Sequence, residues 1–168
     1  PYEPEGRLFN KRLGGGALMD VGVYPVFSAL FYLGIPAEIQ SFAQFAPTGV
    51  DQQMSIQFKY PNGQMADLYT SLVAQTPVDT DLYLEGGWMR IQRTKGYMRE
   101  LLVCREEGVV ERIDLDVSPF AFIYQIREVM RCVRLGLMES PLMPHGFTQN
   151  FIEVMDRIKA QVGIDYSK

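Results

Sequence analysis

The sequence predicts an α+β domain: an open, antiparallel-rich sheet of about six strands with helices covering one of its faces. Three observations predict it. Helix-forming sequence runs from Ala17 to Leu33, period-two segments joined by turn signals fill the middle, and two apolar stripes at helical spacing close the chain. With 168 residues, 47% hydrophobic and 21% charged, the chain suits a single domain spanning 1–168 with a core of its own.

The first helix is announced by Gly14, Gly15 and Gly16, which let another body, a cofactor or neighbouring backbone, approach closely. Ala17 to Leu33 then holds mostly good helix formers, and Gly34 followed by Ile35-Pro36 stops the run. Gly22 and Pro25 argue against one straight helix, since proline removes a backbone bond in a helix interior but costs little in a first turn. The expectation is a short helical turn, a break near Asp20 to Gly22, and a longer helix to Leu33. At 3.6 residues per turn Asp20 and Tyr24 share a face, Cβ atoms roughly 6 Å apart, and a break there points both outward.

After Pro36 the period changes. Ala37 to Phe45, Gln53 to Tyr60 and Gln64 to Val73 read as strands, and Met54, Ile56, Phe58 and Tyr60 alternate with Gln53, Ser55, Gln57 and Lys59. Tyr60-Pro61-Asn62-Gly63 is a hairpin signal. Further strands are expected at Asp79 to Glu85, Met89 to Gln92, Glu100 to Cys104 and Val109 to Asp114, with turns at Gly86-Gly87 and Glu106-Glu107-Gly108. Ser118-Pro119 caps a helix whose stripe, Ile123, Ile126, Met130, Val133 and Leu137, is expected to face a core, with Glu128, Arg131 and Arg134 in solvent. Phe147, Phe151, Val154, Met155, Ile158 and Val162 form a second such stripe. The sheet face left uncovered carries Tyr, Gln, Thr and Leu, as in Leu68, Tyr69, Thr70 and Leu72, and is too apolar to be wholly wet.

Composition excludes several classes. A net charge of −4 without a basic run argues against a nucleic-acid surface. No stretch of ~18 apolar residues lacks a polar interruption, so no transmembrane helix is expected, and no signal peptide is visible. Cys104 and Cys132 lie far apart without metal-ligand spacing and read as free core thiols of a reducing compartment, the cytoplasm. His145, the single histidine, makes no metal site alone.

By spacing alone, Asp20 reads as well as a helix cap and Tyr24 as a core residue. The whole string says more. G-G-G-A-L-M-D-V-G-V-Y-P closely resembles the start of the C-terminal domain of the Gfo/Idh/MocA oxidoreductases, in the branch of the dihydrodiol and xylose dehydrogenases. Glu139-Ser140-Pro141-Leu142-Met143-Pro144 also resembles the string that joins the last two helices there. The resemblance implies that Asp20, Gly22 and Tyr24 form the family's Asp-x-Gly-x-(His or Tyr) acid/base element. Arg7 and Asn10, in a lead-in similar to the family's, are weaker candidates for holding a substrate hydroxyl or carboxylate.

It further implies hydride transfer between NAD or NADP and a CH–OH carbon of a sugar, polyol or dihydrodiol. It also implies a nucleotide-binding Rossmann half N-terminal to this segment, and dimerisation through the open sheet face. No G-x-G-x-x-G sits between a strand and a helix here, and no Glu-Lys-Pro occurs. The sequence, beginning at Pro1 without Met, is therefore expected to be the second half of such an enzyme, binding no nucleotide by itself. A free tyrosine titrates near 10 and a nearby carboxylate disfavours phenolate, so a cation is needed beside Tyr24; in the family it is the Glu-Lys-Pro lysine. The alternative is a stand-alone, non-catalytic domain that dimerises or binds a small ligand.

Overall fold

The computed structural model describes residues 2–94, 97–105, 108–115, 117, 118, 120 and 122–166. The expected turn residues Glu106 and Glu107, the helix-opening Pro119 and the initial Pro1 lie outside them. The fold is α+β with open antiparallel sheets, as the sequence predicts, but among the described residues seven strands form two sheets where one was expected. The chain divides into two compact units, one comprising residues 1–76 and 145–168, the other residues 77–144. The break falls in the stretch 72–79, which the sequence marks with Pro77 and which is part of no strand.

In the first unit, α1 (Val23–Leu33) precedes β1 (Glu38–Phe45), β2 (Asp51–Lys59) and β3 (Met65–Ser71), ordered β1-β2-β3; the last helix of the chain, His145–Val162, returns to this unit. Gly63, at φ 89°, closes the hairpin by donating its N–H to the Tyr60 carbonyl. Alternation on β2 turns Met54, Ile56 and Phe58 inward, each at most 1% exposed, against Leu18, Val26, Ala29 and Leu30 and against Val154, Met155 and Ile158 of the last helix. Burying side chains of this size contributes roughly 1.5–3 kcal/mol each, which makes this cluster the main source of stability in the unit. The last helix thus buries the stripe read from its sequence, with Phe147, Phe151 and Val162 packed at the margin. It is also tied to the segment leading into β1 through Arg157, which donates to the Pro36 and Ala37 carbonyls.

The open face needs a correction. Leu68 and Thr70 do not lie on it: Leu68 packs on the core and Thr70 is 4% exposed, while Tyr69 points the other way. Neighbouring strand residues point to opposite faces, so four near-consecutive residues cannot share one. The face carries instead Phe42, Met65 and Tyr69, all exposed, among Gln40, Gln44, Gln53 and Gln57.

The second unit is a meander, β4 (Thr80–Leu84), β5 (Gly87–Thr94), β6 (Tyr97–Arg105) and β7 (Gly108–Asp114), followed by α2 (Phe122–Arg134). Arg90 grips Asp81 across the β4–β5 pair with two bonds of 2.6 Å, which holds the Asp81 carboxyl below its usual range. The sheet buries Ile91, Leu102 and Cys104. The expected packing of the α2 stripe is not found: Ile126, Met130, Val133 and Leu137 are exposed, and Cys132 is the buried residue of this helix. Spacing marks a face as apolar without saying what covers it. The polar side is ordered by Glu128, which accepts from Arg131 twice and from Ser140 Oγ at 2.5 Å, lowering its carboxyl to about 2.

The helix that returns to the first unit, α3, spans His145–Val162.

Candidate active site

The glycine-rich stretch turns through Gly14 and Gly16, at φ 70° and 128°, and the chain winds at once into helix. The break expected near Asp20 is a widened, π-helical turn, Leu18–Gly22, running into α1 without interruption. Pro25 has no N–H to give the carbonyl of residue 21, and a π-turn re-spaces the bonds ahead of it. Gly34, at φ 80°, ends α1 by donating its N–H to the Leu30 carbonyl. The stretch Lys11–Leu33, with a mean hydropathy of 1.4, is long and apolar enough to cross a membrane by length and composition. The turn at Gly14–Gly16 interrupts it, and its Leu18, Val26, Ala29 and Leu30 are buried in the core of this unit.

Tyr24 stands on the first turn of α1 and is 57% exposed, so its ring is not core. Asp20, on the π-turn, accepts a 2.6 Å bond from Arg7 Nη1, their side chains 24% and 69% exposed. The structure therefore joins two of the residues singled out in the sequence. An ion pair this open is worth about 0–1 kcal/mol, so its effect is to orient Asp20 more than to stabilise the fold. Asn10 is occupied otherwise: its Oδ1 caps the short turn Lys11–Leu13 by accepting from Arg12 N, and its amide reaches Glu5.

The close approach allowed at the glycines is made by the chain itself. A side chain at Gly15 would strike the Leu8 and Arg7 carbonyls, and one at Gly16 would strike Asp51 Oδ1, whereas the space over Gly14 is open. The Cβ side of Gly15 and Gly16 is thus filled, and their N–H groups are given to the Asn10 and Leu8 carbonyls, an arrangement that does not fit a nucleotide's phosphates. Among the described residues, His, Cys, Asp and Glu gather in no metal-ligating cluster. Cys104 and Cys132 are free and buried.

Sequence reading missed Asp51. It is fully buried, and its Oδ2 accepts from Leu18 N at 2.6 Å. Alternation from Met54 assigns Asp51 to the polar face, but a bulge, where Gln44 pairs with Gln53 and Phe45 with Asp51, turns it inward. An acid directly after Gly49-Val50 at a strand start was the available signal. Burial raises its carboxyl to about 6, against the opposing bond from Leu18 N. The folded chain holds this proton more tightly than the unfolded chain does. The resulting stability is fully present below about pH 4 and lost as pH rises through about 6, a change of roughly 3 kcal/mol at most. Denaturant unfolding at either end of this window should show the loss in the wild type and not in Asp51→Asn; equal slopes in both would refute it.

This α+β arrangement is found in solved oxidoreductases. The chain superposes on an aldose-aldose oxidoreductase from Caulobacter crescentus with a TM-score of 0.81 at 18% identity, over 97% of this chain and 50% of that one. It superposes on a 3-ketoreductase from Actinomadura kijaniata, solved with NADP and TDP-benzene, with a TM-score of 0.77 at 20% identity, over 96% and 51%. The chain belongs to the GFO/IDH/MocA family: residues 1–99 match its C-terminal domain. Among curated relatives, trans-1,2-dihydrobenzene-1,2-diol dehydrogenase of Danio rerio is 31% identical over 96% of this chain and 51% of its own length. The Homo sapiens enzyme of the same name is 22% identical over 95% and 50%. The chain spans about half the length of the curated relatives it matches.

Proposed function

We propose that this chain is the substrate-side half of an NAD(P)-dependent oxidoreductase that moves a hydride to or from the CH–OH carbon of a sugar, polyol or dihydrodiol. The observation that carries the reading is Tyr24, exposed on its helix one turn from an Asp20 oriented by Arg7, in a chain of this family. A nicotinamide nucleotide, held by a Rossmann half of the same enzyme, supplies the hydride chemistry when bound. This chain binds none of its own, consistent with the filled space at Gly15 and Gly16. Its residues manage the proton and the pose. Tyr24 gives or takes the alcohol proton at its phenol oxygen, Asp20 orients the phenol or the substrate hydroxyl, and the exposed guanidinium of Arg7 is placed to meet a substrate oxygen. Asn10 serves the same substrate at the cost of its capping bond.

The test is turnover by the enzyme that contains this chain, with trans-dihydrodiols, aldoses and polyols as substrates and reduced nicotinamide as the readout. Activity with one of these classes is expected, and none with any of them would overturn the reading. The relatives' names favour this over a non-catalytic interaction domain.

The enzyme is proposed to work in the cytoplasm, where buried free thiols such as Cys104 and Cys132 stay reduced. It is proposed to pair with a second copy through the open face of β1–β3, on which Phe42, Met65 and Tyr69 lie exposed. Sedimentation of this chain should then give a dimer at micromolar concentration that Phe42→Lys dissociates. A wild-type monomer would refute it.

A further inference from the structure

Three side chains from distant parts of the first unit converge on the backbone that opens the acid/base element. From the start of β2, Asp51 Oδ2 accepts from Leu18 N at 2.6 Å. From β3, Thr70 Oγ1 donates to the Ala17 carbonyl at 3.3 Å. From the segment after α3, the Tyr166 hydroxyl donates to the Gly15 carbonyl at 2.8 Å. Asp51 is the charged member. Its second oxygen, Oδ1, is buried without a hydrogen-bond partner and faces Gly16, where a side chain would collide with it. Leu18 N is a first-turn donor of the helix, with no partner of its own inside it, and Asp20 and Tyr24 follow two and six residues on.

We propose that Asp51 is a positioning residue for the reaction, its carboxylate fixing the π-turn so that Asp20 and Tyr24 are presented together. The proposal rests on the oxidoreductase reading for the reaction it serves, though the geometry stands without it. A bulge, a buried carboxylate with one oxygen unsatisfied, and a glycine with φ 128° are more than an ordinary helix cap requires. A merely structural carboxylate would also be less costly outside the core. Of the other two side chains that converge there, Thr70 does not ionise, and burial and the Asp51 charge together raise Tyr166 to about 12.

The experiment follows the Leu18 amide and the Tyr24 ring by NMR in this chain, from about pH 4 to about pH 8. Both signals should move with one midpoint, near the value of about 6 raised by burial. In Asp51→Asn both should be flat. If the variant does not fold, the wild-type titration decides alone. A Leu18 amide that titrates while Tyr24 stays still would leave Asp51 a local cap and overturn the proposal, as would the absence of any titration. In the enzyme that contains this chain, Asp51→Asn should lower kcat roughly ten- to a hundredfold with little change in nucleotide KM. An unchanged kcat would overturn the proposal. Coupled signals in a wild type with no turnover would overturn the oxidoreductase reading and leave the positioning role standing.

Discussion

Replacing Tyr24 by Phe should lower turnover by roughly 10²–10⁴, the usual size of a general acid–base contribution, while the melting temperature and nucleotide affinity stay nearly unchanged. The substitution removes one oxygen from a ring that is 57% exposed and therefore takes little packing with it. Among the described residues no hydrogen bond ties the Tyr24 hydroxyl to the fold, in contrast to Tyr60 and Tyr166, whose hydroxyls donate to the Ala29 and Gly15 carbonyls. Phe at either of those positions should cost about 1 kcal/mol of stability instead. Asp20→Asn should reduce kcat less than Tyr24→Phe, because it keeps an acceptor of the same shape for Arg7 and removes the charge. Measuring kcat and melting temperature on the same preparations separates the readings. A Tyr24→Phe protein that melts early yet turns over normally would show Tyr24 to be a packing residue.

Gly16→Ala should destabilise the chain by roughly 2–5 kcal/mol, enough to unfold a marginal domain. Two independent costs meet at this residue. Its φ of 128° lies where side-chain-bearing residues rarely go, and its Cβ would drive into Asp51 Oδ1, with Tyr166 Oη only 3.1 Å away. Asp51 cannot swing aside without releasing Leu18 N and burying its charge elsewhere. Gly14→Ala is the control, since its φ of 70° is strained but nothing stands within 4 Å of the added carbon. It should cost about 1–2 kcal/mol, the conformational part alone. Denaturant midpoints of the two variants check this, and equal losses would mean that the collision at Gly16 is relieved at no cost.

Much of this was open to reading in one dimension. Alternation on β2, the apolar stripe of α3, the Gly63 turn and the stop at Gly34 each depend on residues close together in sequence, and local periodicity records them directly. The Asp20–Tyr24 spacing is of the same kind, as is the helix irregularity forced by Pro25. The resemblance carried by Gly14 to Pro25 likewise lies within one short string, and the match of residues 1–99 to the family agrees with it.

What depended on distant partners was decided by tertiary structure. Arg7 could be called a donor from its chemistry, but that Asp20 receives it, thirteen residues on, follows from the fold of the lead-in around Gly15 and Gly16. Whether those glycines admit a cofactor or neighbouring backbone was open in sequence, and the Leu8 carbonyl and Asp51 fill the space. Asp51 itself was hidden because one bulged residue reverses the parity on which strand reading rests. The α2 stripe shows the converse. Its period is legible and its exposure is not, because periodicity reports which residues share a face, while burial depends on what the rest of the chain places against that face.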